Sequence, residues 1–196
     1  MNHATQSRLP ITAPLLAHGT HAGAILAATG IFLLTLSAKV QIPLWPVPMT
    51  MQTYVILVIG MAYGTRMATM TVLGYLIAGA MGLPVFAGTP EKGLGIPYML
   101  GPTGGYLIGF LLATVLMGKL AESGWDRRMG LCVLGMTVGH LLILASGVTW
   151  LAVSLGWERA IAVGAAPFVA ATILKTALAG VTLPLAWRWV HRLREG

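Results

Sequence analysis

Six apolar segments follow one another along this chain, separated by short polar or irregular stretches. A helix needs about 20 mostly apolar residues, each adding about 1.5 Å, to cross the hydrocarbon core of a bilayer. In lipid, a helix also satisfies its backbone hydrogen bonds within itself. The segments are 22–38, 49–63, 67–87, 103–121, 129–153 and 160–187. The sequence therefore predicts an all-α integral membrane protein, a six-transmembrane-helix bundle that forms a single domain over residues 1–196.

Composition supports a membrane protein and argues against several other classes. Hydrophobic residues make up 57% of the chain and charged residues 9%, against about 25% charged in a soluble domain. The net charge of +7 comes from basic residues scattered singly, without the basic and aromatic patch of a nucleic-acid binder. One cysteine, Cys132, rules out a disulfide framework. The five histidines show no HExxH-type spacing, and His18 and His21, three residues apart, would alone make a weak metal site. We expect no metal and no cofactor.

The distribution of lysine and arginine predicts the topology, because these residues concentrate in cytoplasmic loops. With a cytoplasmic N-terminus, eight of the 12 lie inside: Arg8, Arg66, Lys119, Arg127, Arg128, Arg188, Arg192 and Arg194. Three lie outside (Lys39, Lys92 and Arg159), and Lys175 lies within the last segment. We therefore expect both termini to be cytoplasmic, a cytoplasmic or interfacial segment over 1–21, and outer-face loops over 39–50 and 88–100. A signal peptide is disfavoured, because more than 20 residues precede the first apolar run.

Lys175 is the one charge within an uncharged run, "AATILKTALAG" at 170–180. A lysine at the centre of a membrane helix costs about 2.5–3.5 kcal/mol and by default indicates function. All five acidic residues fall in loops or the tail: Glu91, Glu122, Asp126, Glu158 and Glu195. Four explanations stay open: a neutral lysine, a glutamate folded inward from an outer loop, a bound anion, or a side chain that reaches the membrane surface. Thr172 lies one turn earlier on the same helix face.

A second candidate is the loop-to-helix junction "GPTGGYLIGF" at 101–110. Pro102 suits a first helical turn, and the neighbouring glycines leave helix-start N–H groups open to an anion or a carbonyl. No Gly-Lys-Ser/Thr follows, so this is not an ATP-binding P-loop. A structural junction and a ligand cradle that includes Thr103, Gly104 and Tyr106 are both compatible with the sequence.

His140 lies in the fifth segment without a titratable partner at helical spacing. A hydrogen-bonded structural histidine is the favoured interpretation, with a ligand contact or a proton relay as alternatives. Ser146 is six residues away and lies on a different helix face, so no oriented nucleophile and base are present. The sequence therefore does not predict an enzyme.

Pairs of small residues at four-residue spacing recur in the apolar segments and let helix backbones approach closely. The pairs are Ala24/Ala28, Gly60/Gly64, Gly105/Gly109 and Gly135/Gly139. Most should serve packing within the bundle, whereas a lipid-facing pair could dock another membrane subunit.

Three stretches, "VPMTMQTYVILVIGMAYG", "GYLIAGAMGLPVFAG" and "GPTGGYLIGF", resemble the BioY family, the biotin-binding membrane subunits (S components) of energy-coupling-factor (ECF) transporters. The resemblance covers about residues 24–178. It implies a six-helix bundle in the cytoplasmic membrane, with an outward-facing biotin pocket roofed by 39–50 and bordered by 88–100. It also implies a partner transmembrane (T) subunit, docked through Ala24 and Ala28, and two ATPase subunits that supply the energy.

The resemblance also suggests site residues. The family's sixth helix typically reads PF-x-PGD-x-x-K, with the Asp and Lys contacting biotin, and "PFVAATILK" at 167–175 matches it. Lys175 falls on the family lysine, but Thr172 stands at the aspartate position. A neutral hydrogen bond is worth about 0.5–1.5 kcal/mol against about 1.5–3 for a charged one. Lower affinity, another residue in this role, and a biotin relative as ligand all remain possible.

Other candidates lie near the outer loops. Gln52 and Thr50 are placed at the mouth of the second helix, and Lys92 offers a second cation. Tyr98 and Tyr106 could stack on an apolar ring system or anchor the chain at the membrane interface.

We therefore expect high-affinity biotin binding for uptake, energised by the ECF module. The alternative is an ATPase-independent secondary transporter of biotin or another small carboxylate, with His140 able to carry a proton. A retinal-type photoreceptor would need a carboxylate counter-ion within the spans and usually a seventh helix, and the sequence offers neither.

Overall fold

The structure is a computed structural model that describes residues 10–12 and 19–195, without the side chains of 190, 191 and 193–195. The predicted N-terminal segment 1–21 therefore lies largely outside the described residues. The helices are α1 Thr20–Lys39, α2 Gln52–Ala80, α3 Gly95–Met99, α4 Gly104–Glu122, α5 Met129–Leu155, α6 Trp157–Gly164 and α7 Val169–Glu195. Two-residue strands β1 Gln41–Ile42 and β2 Met49–Thr50 and 3-10 turns Trp125–Arg127 and Ala166–Phe168 complete the fold. The predicted all-α membrane class is confirmed.

Within the described chain, five helical stretches are long and apolar enough to cross a membrane, namely α1, α2, α4, α5 and the stretch Trp157–Trp189, which comprises α6, a 3-10 turn and most of α7. The second of them, α2, folds back on itself at Gly64, where φ is +73° and ψ is 170°. The Gln52 amide donates to the Tyr75 hydroxyl, although 23 residues of straight helix would span about 35 Å. The arms 52–63 and 65–80 therefore lie side by side where the sequence predicts two separate helices. The count of six crossings and the cytoplasmic termini stay predictions.

Several predicted segment boundaries differ from the structure. The second predicted segment begins at residue 49, but Met49 and Thr50 form β2, and the last one ends at residue 187, but α7 continues to Glu195. Two further differences are breaks within predicted segments. The predicted third segment extends to residue 87, but α2 ends at Ala80, and Gly82 takes a φ of +93° that turns the chain away. The predicted last segment begins at residue 160, but α6 ends at Gly164 and a 3-10 turn containing Pro167 precedes α7. Apolar composition continues through both breaks, so hydropathy alone does not reveal them.

The bundle centre is formed by α2, α4 and α5, with α1 against α2 and α7 against α5. Glycines allow these close approaches: a Cβ on Gly60 would lie 2.6 Å from the Met117 Cβ, and one on Gly109 would lie 2.9 Å from the Ile143 Cα. A Cβ on Gly139 would lie 2.5 Å from the Leu57 side chain. Glycines of the three predicted Gly pairs thus serve packing within the bundle.

Ala24 and Ala28 differ from those glycines because both are exposed on α1. Ile25 and Phe32, on the same helix, are 67% and 65% exposed. α1 therefore presents an apolar face with a ridge of small residues to its surroundings. Its use in docking a partner stays a prediction.

The loops over 39–50 and 88–100 meet at one end of the bundle. In the first, β1 and β2 form an antiparallel pair in which Gln41 faces Thr50. Lys39, at the end of α1, holds the second loop: its Nζ donates to the Phe86 carbonyl at 3.0 Å and to the Thr89 carbonyl and hydroxyl at 2.9 and 3.0 Å. We call residues 40–51 the lid, because they cover the pocket described next.

The opposite end of the bundle is closed by two sets of contacts. The 3-10 turn Trp125–Arg127 contacts α7, and the end of α4 contacts the middle of α2. The Trp187 indole donates to the carboxylate of Asp126, which is fully buried, and the Arg127 guanidinium lies 4.3 Å from the Trp187 ring centroid. Glu122 accepts from the Thr65 backbone N–H at 2.9 Å, next to the reversal at Gly64.

Candidate functional site

Lys175 connects α7 to the lid and to the first turn of α2. Its Nζ donates to the Thr50 carbonyl at 2.5 Å and to the Thr53 hydroxyl at 3.1 Å. The side chain is 6% exposed, so its amine does not extend into solvent. Glu91 and Glu158, the outer-loop candidates for a counter-ion, are both exposed. In the described part of the chain the Lys175 amine therefore has only neutral oxygen partners.

A pocket lies beneath the lid, bounded by α2, α4, α5 and α7. Its apolar lining consists of Val47, Pro48, Phe86, Ala87, Leu107, Phe110, Ile143, Leu144 and Phe168. Its polar lining consists of Thr50, Gln52, Thr53, Tyr98, Thr103, Tyr106, His140, Thr172 and Lys175. Small-molecule sites are typically apolar and aromatic clefts with a few convergent polar groups, and this pocket has that character.

One pocket wall is built from packed aromatic rings. Phe86 stacks on Tyr98 with centroids 5.0 Å apart and meets Tyr75 edge-on at 5.4 Å. The Tyr98 hydroxyl donates to the Ala87 carbonyl at 2.7 Å, and burial raises the pKa of Tyr98, so this hydroxyl stays protonated and holds the loop. These contacts position the rings before any ligand arrives.

The opposite wall is held by Tyr106 of α4. Its hydroxyl donates to the Gly164 carbonyl at 2.6 Å, and its ring lies 6.2 Å from that of Phe168. This contact ties α4 to the end of α6, immediately before the turn that leads into α7. Tyr106 thus positions the segment that carries Thr172 and Lys175.

Gln52 lies at the start of α2 and is almost completely buried. Its amide donates to the Tyr75 hydroxyl, which in turn donates to the Val85 carbonyl at 3.0 Å. Tyr75 thus orients a pocket side chain.

The structure brings five of the seven predicted binding residues together. Gln52, Thr103, Tyr106, Thr172 and Lys175 all line the pocket, as does Thr50. Their contacts with a ligand stay predictions.

The other two predicted residues do not line the pocket. Gly104 lies behind its wall, where a Cβ would come within 2.1 Å of the Met99 carbonyl oxygen, so close packing explains this glycine. Lys92 is exposed, and its stem packs over Gly88.

The sequence did not single out Thr53 or the phenylalanines. Thr53 follows the candidate Gln52 directly at the start of the second helix, and this position was a usable signal. Phe86, Phe110 and Phe168 carried none, because an apolar residue that lines a pocket has the same sequence character as one in the core. Among the described residues, no three His, Cys, Asp or Glu side chains lie close enough together to hold a metal ion.

Comparison with known proteins gives concordant relatives. The Thermotoga maritima protein "Biotin transporter BioY" is 38% identical over 163 residues, 80% of this chain and 91% of that protein. The Pyrococcus horikoshii protein "Probable biotin transporter BioY" is 35% identical over 154 residues, 79% of this chain and 89% of the relative. These relatives are transporters by name, in agreement with the expectation that the chain is not an enzyme.

A solved structure supports the fold. The crystal structure at 2.1 Å of the S-component for biotin from an ECF-type ABC transporter superposes with a TM-score of 0.70 at 22% identity. The match covers 89% of this chain and 91% of that one. The family model described as "BioY family" matches residues 8–192, nearly the whole chain. The predicted family is thus confirmed, and this chain, a multi-pass membrane protein, belongs to the BioY family.

Proposed function

We propose that this chain captures biotin in the pocket beneath the lid and serves as the substrate-binding subunit of a biotin uptake system. The observation that carries the proposal is the placement of Lys175. It is a buried cation in a pocket with apolar and aromatic walls, and its partners among the described residues are neutral oxygens of the lid and α2. Membership in the BioY family and the names of the relatives point to the ligand.

The pocket chemistry suits biotin. Biotin combines an apolar bicyclic ring, a ureido group with two N–H donors and one carbonyl, and a carboxylate that is ionised at neutral pH. Phe86, Phe110 and Phe168 provide walls for the ring, and Lys175 provides a donor for a carboxylate or a carbonyl oxygen. Binding would exchange the neutral partners of Lys175 for a ligand oxygen, which supports the bound-anion explanation of this lysine.

The lid would respond to this exchange. The free volume between the lining side chains is about 50 Å³, whereas small-molecule pockets typically measure about 300–1,000 Å³. A ligand of biotin's size therefore requires the lid or the lining side chains to move. Because Lys175 donates to the Thr50 carbonyl of the lid, its transfer to the ligand would release one contact that holds the lid closed.

We further propose that an ECF T-subunit and two ATPase subunits energise uptake across the cytoplasmic membrane. The exposed pair Ala24 and Ala28 on α1 supports a docking surface for the T-subunit. In this arrangement A24L and A28L reduce co-purification of the T-subunit, while biotin binding is retained. I25V, at an exposed neighbour of the ridge, is the matched control. Unchanged co-purification of both leucine variants would contradict docking at this pair.

Biotin binding to the purified chain in detergent tests the primary proposal. We expect saturable binding by calorimetry, with excess valerate as the control for nonspecific carboxylate binding. Absence of biotin binding by the wild type would overturn the proposal. Uptake by cells that produce this chain without ECF subunits would favour the ATPase-independent alternative and leave the binding function intact.

A further inference from the structure

His140 lines the pocket, and one of its two ring nitrogens, Nε2, makes no hydrogen bond with the described residues. The ring is 2% exposed and projects from α5 into the lining of the pocket. Its Nδ1 lies 3.0 Å from the Met136 carbonyl oxygen and 3.1 Å from the Thr176 hydroxyl of α7. Its Nε2 is buried and has no hydrogen-bond partner among the described residues. A buried polar atom without a partner is uncommon and requires an explanation.

The partners of Nδ1 determine which ring nitrogen carries the proton. A backbone carbonyl can only accept, so the contact with Met136 requires a proton on Nδ1. A second proton on the ring would place a charged imidazolium in an apolar wall, with an N–H that lacks an acceptor. The surroundings therefore favour the neutral ring, in which Nε2 carries a lone pair and is a hydrogen-bond acceptor.

This acceptor complements the other polar groups of the pocket. The protonated Lys175 amine can only donate, and it can bind a ligand carbonyl or carboxylate but not an N–H group. The unprotonated His140 Nε2 can only accept, so it can bind a ligand N–H group but not a carbonyl or carboxylate. The pocket lining thus includes a donor on α7 and a ring on α5 whose Nε2 is able to accept. A ligand that carries both acceptor and donor atoms can satisfy the two groups together.

We propose that the His140 Nε2 accepts a hydrogen bond from one ureido N–H of the bound ligand and thereby selects ligands that carry this donor. The proposal rests on the proposed biotin function, because in biotin ionised at its carboxylate the two ureido N–H groups are the only N–H or O–H donors. Thr176 and the Met136 carbonyl orient the ring. A ligand without the donor leaves Nε2 buried and unpaired and therefore binds more weakly.

Two biotin analogues test this contact. In each, one of the ureido N–H groups is replaced by an oxygen atom, so a donor is lost with little change in shape. We expect the wild type to bind one of them about 3- to 10-fold more weakly than the other, the size of one neutral hydrogen bond. In H140L, biotin binding should weaken by a similar factor and the two analogues should bind equally. H140Q, which restores an acceptor oxygen, should recover part of the difference.

The controls distinguish a lost His140 contact from a folding defect and from a failure of the proposed biotin function. C132A changes an equally buried α5 residue outside the pocket and should retain the wild-type difference between the analogues. Nitrogen-15 NMR of the histidine rings should show a protonated Nδ1 in the wild type, with an Nε2 signal that moves when biotin binds. If the wild type binds biotin and both analogues with one affinity, the His140 contact is refuted whether or not H140L folds. If the wild type does not bind biotin, the proposed function itself fails.

Discussion

Two buried charged side chains have contacts that involve α7, and their surroundings differ. Lys175 belongs to this helix, and Asp126 contacts its Trp187. Lys175 lies one to two turns into the helix, and Trp187 follows 12 residues later, about 18 Å along the helix axis. Lys175 donates to lid and α2 oxygens and lines a pocket. Asp126 lies at the opposite end of the bundle, fully buried, and accepts from the Trp187 indole.

The difference shows how to distinguish a functional buried charge from a structural one. Asp126 is covered by Trp187 and by the neighbouring Arg127, which lies over the same ring. Burial raises the pKa of Asp126, and the Trp187 hydrogen bond and the Arg127 charge oppose this shift. Lys175 instead lines the ligand pocket and can exchange its neutral partners for a ligand oxygen. We therefore expect changes at Lys175 to affect ligand binding and changes at Asp126 to affect stability.

The largest expected effect is on binding, in K175M. Methionine retains most of the length and removes the charge. We expect biotin binding to weaken about 10- to 100-fold, because a hydrogen bond from a charged donor is worth about 1.5–3 kcal/mol. The midpoint of thermal unfolding should not fall, because a buried charge is replaced by an apolar side chain. Wild-type affinity in K175M would place the ligand elsewhere.

The second effect is on stability, in D126A. This variant removes the acceptor that Asp126 offers to Trp187 within a fully buried site. We expect a loss of about 1–3 kcal/mol in unfolding free energy, measured by denaturation in detergent, with biotin affinity unchanged in the folded fraction. A weaker biotin affinity in the folded protein would contradict the separation between the two ends.

The fold was predictable from hydropathy to the extent that each helix is a continuous apolar run. The sequence correctly separates α1, α4 and α5, which have polar or glycine-rich boundaries. It does not reveal the reversal at Gly64 as a one-residue turn, because a positive φ at glycine is a local backbone property that composition does not record. The turn at Pro167 is hidden for the same reason within an apolar run.

The site was predictable where residues were chemically unusual for a membrane helix. Lys175 is such a residue, and Thr172 follows from its helical spacing. The role of Lys39 was not predictable, because three of its acceptors lie about 50 residues away and two are backbone carbonyls. The open Nε2 of His140 depends on the orientation of one ring, which only the packed structure defines.

A smaller effect is expected for K39M, which tests whether the lid end is held by loop contacts. Lys39 holds the loop of Phe86 and Thr89 through three acceptors but is itself exposed, so its contribution is screened by solvent. We expect biotin to dissociate about 2- to 5-fold faster, corresponding to about 0.5–1 kcal/mol. Stopped-flow competition measures this rate. K119M, in the α4 terminus at the opposite end, is the matched control, and equal rates in K39M and K119M would contradict an anchoring role.

The smallest effect is a pH dependence at Asp126, read from D126N. Asparagine is neutral and keeps an oxygen that can accept from Trp187. Because the folded pKa of Asp126 is raised above its ordinary value of 3.8, the folded state holds this proton to higher pH than the unfolded state does. The stability from this group is therefore fully present below 3.8 and is lost as pH rises through the folded pKa. The unfolding midpoint of D126N minus that of the wild type should therefore increase across this window and then stay constant.

Thermal unfolding across a pH series measures this difference. K175M, measured in parallel, keeps Asp126, so its unfolding midpoint minus that of the wild type should not increase in the same window. A difference that shrinks as pH rises would show that the carboxylate of Asp126 is stabilised as an ion by Trp187 and Arg127 rather than tolerated as a buried charge. A difference that stays constant would show that folding does not change the pKa of Asp126, which would also contradict the prediction.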